Sequence, residues 1–299
     1  MAHQHDHHHP TKFGMAFALA VGLNLAFTII EAIYALMAHS VSLLADAGHN
    51  LGDVLALAIS WGAMLLLAKK ATDRYSYGFK RTTILAALIN ALILFGTAAG
   101  IAIESINKLL NPAIVDEKII IIIALIGIVI NGSTALLFIR GQDDLNIKSA
   151  FLHLAYDALI SFAVVITGII IYFTSANWLD PLIGLLITII ILLGTWKLLR
   201  QSVDLILDAV PQGIDRKAVQ NFLIAQTHII AVHDLHIWGL STKETALTAH
   251  LIVSGNNLGN KQLQYIHNEL ATHFNIKHCT LQVENHEEHN VCNRTEKCC

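Results

Sequence analysis

Two uninterrupted apolar runs decide the fold class: IIIIIALIGIVI at residues 119–130 and LIGLLITIIILL at residues 182–193. Each run is hydrophobic on every face of a helix, whereas a helix surrounded by water keeps one polar face. Crossing the core of a bilayer takes about 20 mostly apolar residues. Stretches of that kind occur at residues 15–37, 41–68, 82–107, 118–139, 149–174 and 179–200. The sequence therefore predicts an all-α bundle of six transmembrane helices.

Composition and charge indicate how the chain lies in the bilayer. Only 14% of the 299 residues are charged, against about 25% in a soluble domain. Basic residues gather on one side of the predicted spans, at Lys12, Lys69, Lys70, Arg74, Lys80, Arg81, Arg140, Lys148, Lys197 and Arg200. The other side has only Lys108 and Lys118. The positive-inside rule places both termini in the cytoplasm, and the compact loops favour a bacterial inner membrane.

A second domain begins where charged residues return, after about residue 208. Helical patterns occur at residues 215–227 and 260–274, and strand patterns at 232–240, 246–253 and 279–284. This α-β-β-α-β order predicts a small α+β cytoplasmic domain. The predicted organisation is a tail at 1–12, a membrane domain at 13–207, a cytoplasmic domain at 208–286 and a second tail at 287–299.

Both tails carry residues that bind metals. Residues 1–12 hold five histidines and no apolar run, which indicates a disordered tract able to bind metal or an expression tag. The cysteines are Cys279, Cys292, Cys298 and Cys299. Disulfides are not expected in a reducing cytoplasm, so the last three are either incidental thiols or a weak metal site.

Ionisable residues inside the apolar spans are the strongest functional signal. Such a side chain costs several kcal/mol at bilayer depth and therefore marks a functional, inward-facing position. The polar residues in the first, second and fifth spans are Asn24, Glu31, Asp46, His49, Asn50, Asp53, His153 and Asp157. None of these central positions is lysine or arginine, which indicates that a cation is the missing partner.

The spacing of these residues predicts a metal site. Asp53 lies four positions after His49, and Asp157 lies four positions after His153. Each pair therefore shares one helix face. Two such faces supply two imidazoles and two carboxylates. Zn²⁺ takes four N, O or S ligands, whereas Mg²⁺ prefers oxygen and retained water. The set favours zinc, or the related Cd²⁺ or Co²⁺, over a hydrogen-bonded cluster that only holds the bundle together.

Three further polar positions accompany that set. Asp46 lies one turn before His49 and is either a partner that orients the imidazole or a proton site. Asn24 and Glu31 are seven residues apart and share a face. Glu31 is a candidate proton or access-path residue, and helix packing is the alternative role for each.

The chain resembles the cation diffusion facilitators from about residue 13 to 286. The resemblance rests on SVSLLADAGHNLGD (40–53), YSYGFKR (75–81), DLNIKSAFLHLAYDALIS (144–161), WLDPLIGLLI (178–187), LILDAVP (205–211) and VHDLHIWGLS (232–241). The family consists of transition-metal exporters, usually homodimers, with six spans and a metallochaperone-like cytoplasmic domain. The resemblance implies proton-coupled export of Zn²⁺ by a secondary transporter in a lipid bilayer, with no enzymatic activity and no nucleic-acid partner.

The resemblance also implies specific ligands. The transport site would be formed by His49, Asp53, His153 and Asp157, in agreement with the spacing. In the cytoplasmic domain the implied or candidate ligands for zinc are His233, His250, Glu284, His236, His267 and His278. The loop between the second and third spans offers only Asp73, so the extra site that some members carry there is not predicted.

The expected mechanism is alternating access around a midplane site, in which metal and protons compete for the same ligands. Three other classes of membrane protein are alternatives. A zinc importer would share the HNxxD pattern of residues 49–53 but usually has eight spans. A membrane metalloprotease would need HExxH, which the sequence lacks. A sensor anchored in the membrane would not need ligands in two spans.

Overall fold

The computed structural model describes the backbone of residues 11–137, 145–254 and 258–285, and the side chains of residues 22–136, 151–254 and 258–285. Most of the histidine-rich tail and the whole of the tail at 287–299 lie outside the described residues, as does much of the loop before the fifth span. The predictions for those segments therefore stay predictions.

Long helices make up the described part of the first two thirds of the chain. They are α1 (Thr11–Met37), α2 (Val41–Leu67), α3 (Thr82–Leu110), α4 (Glu117–Leu137), α5 (Leu145–Thr174) and α6 (Leu179–Ile206). Within the described side chains, five of them are long and apolar enough to cross a membrane, and α1 contributes a shorter apolar stretch, Gly22–Met37. The predicted helical membrane domain is confirmed.

The chain divides into two compact units. Unit 1 comprises Met1–Ala58 and Asn90–Lys197, and unit 2 comprises Ile59–Ile89 and Leu198–Cys299. The core of unit 1 joins buried residues of α1, α2, α4, α5 and α6, among them Phe27, Leu43, Ile120, Val164 and Ile187. Unit 1 contains every polar residue predicted to act inside the membrane.

A buried aspartate fixes one end of α2 to α6. Asp180 is 0% exposed and accepts hydrogen bonds from Ser40 Oγ (2.6 Å), Val41 N (2.6 Å), Ser42 N (3.3 Å) and Ser42 Oγ (2.6 Å). It thus satisfies amide groups that the first turn of a helix leaves without partners. Gly184 lets the two backbones meet, because a Cβ there would lie 3.0 Å from Ser42 N. The beginning of α2 is therefore held rigidly against α6.

Unit 2 contains the small α+β domain, and its element order confirms the prediction. The order is α7 (Arg216–Ile224), β1 (Ile229–Gly239), β2 (Thr245–Val253), α8 (Asn260–His273) and β3 (Ile276–Asn285). β2 lies between an antiparallel β1 and a parallel β3. Asp215 caps α7 by accepting from Lys217 N at 2.8 Å. Both helices cover the sheet with apolar residues such as Val219, Leu223, Ile266 and Leu270.

The segment before α3 is tied to this domain by side-chain contacts within unit 2. Lys80 Nζ lies 2.5 Å from Glu244 Oε2 in the β1–β2 turn, and Arg81 Nη2 lies 2.6 Å from Asp208 Oδ1. The neighbouring backbone amide of Thr242 donates to Thr83 Oγ1 at 3.1 Å. The same turn thus contacts the start of a membrane helix and closes the strand pair that bears the cytoplasmic histidines.

Candidate metal centres

Two histidines and two aspartates from α2 and α5 form a ring inside unit 1. The nitrogen and oxygen atoms alternate around it. The four separations are 3.6 Å from His49 Nε2 to Asp53 Oδ2, 3.7 Å from His49 Nε2 to Asp157 Oδ1, 3.4 Å from His153 Nε2 to Asp53 Oδ2 and 3.5 Å from His153 Nε2 to Asp157 Oδ2. The side chains of the two i, i+4 pairs therefore lie together.

These separations fit the edges of a metal tetrahedron. Ligands about 2.0–2.1 Å from a zinc ion are about 3.3–3.4 Å apart, which is slightly less than the 3.4–3.7 Å of the ring. Among the described residues, no three of these ligand atoms lie within 4.8 Å of one another. Opposite corners are therefore farther apart than in a closed tetrahedron, and the ring is an open form of a four-ligand site.

The ring oxygens have no other partners. Asp157 is 1% exposed, and neither of its oxygens accepts a hydrogen bond from a described residue. Asp53 Oδ2 and His49 Nδ1 are buried and lack partners in the same way. Buried polar atoms in native proteins are nearly always satisfied, so these atoms are suited to a ligand that binds and leaves.

Glycines on α2 allow its neighbour α3 to approach closely. A Cβ at Gly48 would lie 2.9 Å from Ile101 Cδ1 of α3, and one at Gly52 would overlap Leu94 of the same helix. Side chains at these positions would push the helices apart. The residues that follow each glycine, His49 and Asp53, face α5 instead.

The other polar residues of the spans lie together rather than on the ring. Asp46 accepts from Ser161 Oγ at 2.8 Å and Asn50 Nδ2 at 3.5 Å, and Asn50 also reaches Glu31 at 3.3 Å. His49 Nδ1 has no partner, so Asp46 does not orient that imidazole in this structure. Asn24 Oδ1 is buried without a partner, and the Asn24 carbonyl accepts from Thr28.

A second cluster lies on the three-stranded sheet of unit 2. His233 of β1 pairs directly with His250 of β2, and Glu284 of β3 lies two residues beyond the partner of His250. All three therefore point to one face of the sheet. Their ligand atoms lie within 4.8 Å of one another, as a metal site requires.

This cluster is already joined by hydrogen bonds. Glu284 Oε2 lies 3.0 Å from His233 Nε2, and Oε1 lies 2.6 Å from His250 Nδ1. Burial raises the pKa of Glu284, but the hydrogen bonds to both histidines outweigh burial and hold this pKa below its ordinary value. The carboxylate is consequently ready to bind a cation at neutral pH.

A bulge in β1 adds a residue that the sequence did not indicate. Asp234 has a φ of 52°, which is unusual for a residue other than glycine, and the pairing shifts between His233 and His236. Asp234 Oδ1 lies 3.0 Å from His236 Nε2, and Oδ2 lies 3.7 Å from His250 Nε2. The hydrogen bond to His236 lowers the pKa of Asp234. His236 thus contacts Asp234 rather than the three-ligand cluster.

The remaining candidate histidines lie elsewhere. His278 packs edge-on against Tyr77, with ring centroids 5.5 Å apart. His267 Nδ1 lies 3.0 Å from Cys279 Sγ. Neither belongs to the His233–His250–Glu284 group that comes within 4.8 Å among the described residues.

Comparisons with known proteins place the chain in a family. Sequence models of the cation efflux transmembrane domain and of the cytoplasmic domain of cation efflux proteins match residues 17–207 and 211–286. A metal cation efflux system protein CzcD of Cupriavidus metallidurans is 34% identical, over 94% of this chain and 89% of its own length. A cadmium, cobalt and zinc/H(+)-K(+) antiporter of Bacillus subtilis is 33% identical, over 88% of this chain and 86% of its own.

One more full-length relative and one solved structure are also similar in sequence. Zinc transporter ZitB of Escherichia coli is 30% identical, over 95% of this chain and 93% of its own length. A solved structure, the metal-bound C-terminal domain of the CzcD transporter from Cuprividus metallidurans, is 31% identical over 24% of this chain and 99% of its own, with a TM-score of 0.21. By its two matched domains and its full-length relatives, this chain belongs to the cation diffusion facilitator family of metal cation efflux transporters.

Proposed function

We propose that this chain exports Zn²⁺ from the cytoplasm in exchange for protons, with the ring of His49, Asp53, His153 and Asp157 as its transport site. The observation that carries the proposal is the alternation of nitrogen and oxygen at 3.4–3.7 Å, with Asp53 Oδ2 and both Asp157 oxygens otherwise unpartnered among the described residues. Two imidazoles favour zinc, cadmium or cobalt over magnesium. Relatives carry zinc, cadmium and cobalt in their names.

Proton exchange follows from the chemistry of these ligands. Histidine and aspartate bind metal only when deprotonated, so metal and protons compete for one site. In the proposed cycle, cytoplasmic Zn²⁺ displaces protons from the ring, and protonation on the far side releases the metal. The open ring supports alternating access, because a small movement of α2 relative to α5 changes the distance between opposite ligands.

The cytoplasmic cluster is proposed as a separate zinc site. His233, His250 and Glu284 would hold the ion, and His236 would act through Asp234. The bound zinc would supply positive charge that fixes the three strands together. We further propose that the chain works as a homodimer, as the family resemblance implies, with membrane and cytoplasmic domains at 13–207 and 208–286. The excess of basic residues on one side of the spans supports cytoplasmic termini, and the compact loops support a bacterial inner membrane.

Zinc uptake into proteoliposomes under an imposed pH gradient tests this proposal. Native protein should accumulate zinc against the proton flow, and Asp157→Ala should not. Asp73→Ala is the matched control, because Asp73 lies in an exposed loop and should transport normally. If native protein binds zinc but moves none, a membrane-anchored sensor replaces the exporter. If Asp157→Ala transports like native protein, the ring is not the transport site.

A further inference from the structure

The cluster beside the metal ring contains two buried acids and no base. It consists of Glu31 from α1, Asp46 and Asn50 from α2, and Ser161 from α5. Both acids and the serine are 0% exposed, and Asn50 is 1% exposed. Asn50 Nδ2 lies 3.3 Å from Glu31 Oε2 and 3.5 Å from Asp46 Oδ1, so one amide bridges the two carboxyl groups.

The hydrogen bonds of this cluster are incomplete without a proton. Glu31 Oε2 and Asp46 Oδ1 both face the one amide nitrogen Asn50 Nδ2, and two carboxylates cannot bond to each other because both only accept. Glu31 Oε1 and Asn50 Oδ1 are buried and have no donor among the described residues. Adjacent carboxyl groups shielded from water share a proton, because both cannot carry charge there.

The described groups around Glu31 and Asp46 supply no positive charge. From α5, Ser161 donates to Asp46 at 2.8 Å, and Asp157 is the further acid within electrostatic range of both carboxyl groups. From α4, Gly127 closes the site without a charge, since a Cβ there would lie 3.0 Å from Ser161 Oγ and 3.1 Å from the Phe27 ring of α1. Among the described residues, no lysine or arginine bonds to either acid.

We infer that Glu31 and Asp46 hold one proton between them, at a site separate from the four metal ligands, and that metal entering the ring expels it. This inference rests on the proposed function and names a carrier for one exchanged proton. The O–H bond of the shared carboxyl breaks, the proton leaves to water, and two carboxylates remain. A dication nearby stabilises that extra negative charge strongly in a medium of low dielectric.

A proton suits this site better than a potassium ion. Potassium sites replace the hydration shell of the ion with several oxygens. Here only Glu31 Oε1 and Asn50 Oδ1 are buried oxygens of the cluster without a partner.

The test counts the protons released when zinc binds to the full chain in detergent, by calorimetry in two buffers of different ionisation enthalpy. Glu31→Gln and Asp46→Asn should each release about one proton fewer per zinc than native protein. Because the proton is shared, the double variant should also lose about one and not two. Thr28→Val is the matched control. Thr28 is buried three residues from Glu31, and its hydroxyl donates to the Asn24 carbonyl of its own helix, so the proton count of this variant should equal the native count.

Infrared difference spectra provide a second readout. Zinc should bleach a protonated-carboxyl band in native protein, and this bleach should be absent from Glu31→Gln. Native counts in both single variants, or a loss of two in the double variant, would overturn the inference while leaving the exporter intact. The inference would also be overturned if the carboxyl bleach in native protein appeared only in a buffer with potassium in place of sodium. If native protein itself releases no proton on binding zinc, the proposed exchange function fails first.

Discussion

The ring in the membrane and the cluster on the sheet use the same ligand types in opposite ways. Among the described residues, the oxygens of Asp157 have no hydrogen-bond partner, and no three ligand atoms of the ring lie within 4.8 Å of one another. In the cluster, Glu284 already bonds to both histidines at 3.0 and 2.6 Å, and all three residues come within 4.8 Å.

The difference lies in the elements that hold the ligands. Two helices can slide or tilt, so each His–Asp pair can move as a body while its internal spacing stays fixed. Three strands joined by backbone hydrogen bonds cannot change register without losing the whole ladder. A ring on helices is therefore suited to binding and release, and a cluster on a sheet is suited to retention.

Removing one histidine from each site should give the greatest difference in zinc transport. His153→Ala removes a ring ligand and should lower zinc transport in proteoliposomes by about 100-fold or more, since even outer-shell changes cost about 10–100-fold. His233→Ala removes a cluster ligand and should lower transport by less than about tenfold. Equal protein levels in the two preparations serve as the control, and the reverse order of effects would break the comparison.

The next effect concerns the fixed end of α2. Asp180→Asn loses charge-assisted hydrogen bonds to the start of α2, and should lower the free energy of unfolding by about 2–4 kcal/mol. Metal affinity of the ring should fall as well, because α2 carries two ring ligands, whereas the cluster should bind as before. Thermal melting and zinc titration measure both.

Ser202→Ala is the control for that variant. Ser202 is buried on α6, and its hydroxyl donates to the carbonyl of Leu198 in its own helix. Its melting temperature should change little. A Asp180→Asn chain as stable as this control would show that the α2–α6 contact is dispensable.

The ionisation of Glu284 predicts how zinc affinity at the cluster depends on pH. A pKa held below its ordinary value means that the carboxylate is already ionised in neutral solution and releases no proton when zinc binds. Its contribution to stability is present above the ordinary glutamate value of about 4.3 and is lost as pH falls through the lowered folded value. Glu284→Gln should weaken zinc binding at the cluster by about 10–100-fold at every pH from about 5.5 to 7.5.

The slope of affinity with pH should be the same in Glu284→Gln and its parent. Both measurements use a His153→Ala background in which alanine replaces the five histidines of residues 1–12 and serine replaces Cys292, Cys298 and Cys299, so that zinc binding reports the cluster. A slope that falls in the glutamine variant would mean that Glu284 is protonated before metal arrives.

The smallest effect concerns a thiol of the cytoplasmic domain. Burial raises the pKa of Cys279 to about 11, so little thiolate is present at neutral pH, and thiolate is the reactive form. With Cys292, Cys298 and Cys299 replaced by serine, alkylation of Cys279 at pH 7.5 should be at least about tenfold slower than that of free cysteine. Mass spectrometry of timed samples measures the rate, and a rate equal to that of free cysteine would contradict the burial.

The helix sites were predictable and the sheet site was less so, for physical reasons. The i, i+4 spacing of His49 with Asp53 fixes their common face whatever the tertiary structure. Nothing local in the sequence shows that His233 lies opposite His250, because strand register depends on contacts distant along the chain. The resemblance supplied that pair. The location of Asp234 depends on a bulge, which local patterns do not specify.

The ends of helices and strands also depend on contacts that local sequence patterns do not specify. Hydropathy predicts that the last span ends at residue 200, where polar residues begin, but α6 continues to Ile206. Helical hydrogen bonds can extend beyond the apolar stretch into polar surroundings. β1 begins at Ile229, earlier than the predicted residue 232, because Ile229 pairs with Val253 of β2.

Zinc K-edge X-ray absorption shows directly whether the four ring residues bind zinc. The sample is the full chain carrying His233→Ala and Glu284→Gln, with alanine in place of His3, His5, His7, His8 and His9 and serine in place of Cys292, Cys298 and Cys299. It is loaded with one zinc per chain, so that the ring holds the metal. We expect four nitrogen and oxygen ligands at about 2.0–2.1 Å from the zinc, two of them imidazoles. Zinc with six oxygen ligands, or with fewer than two imidazoles, would contradict it.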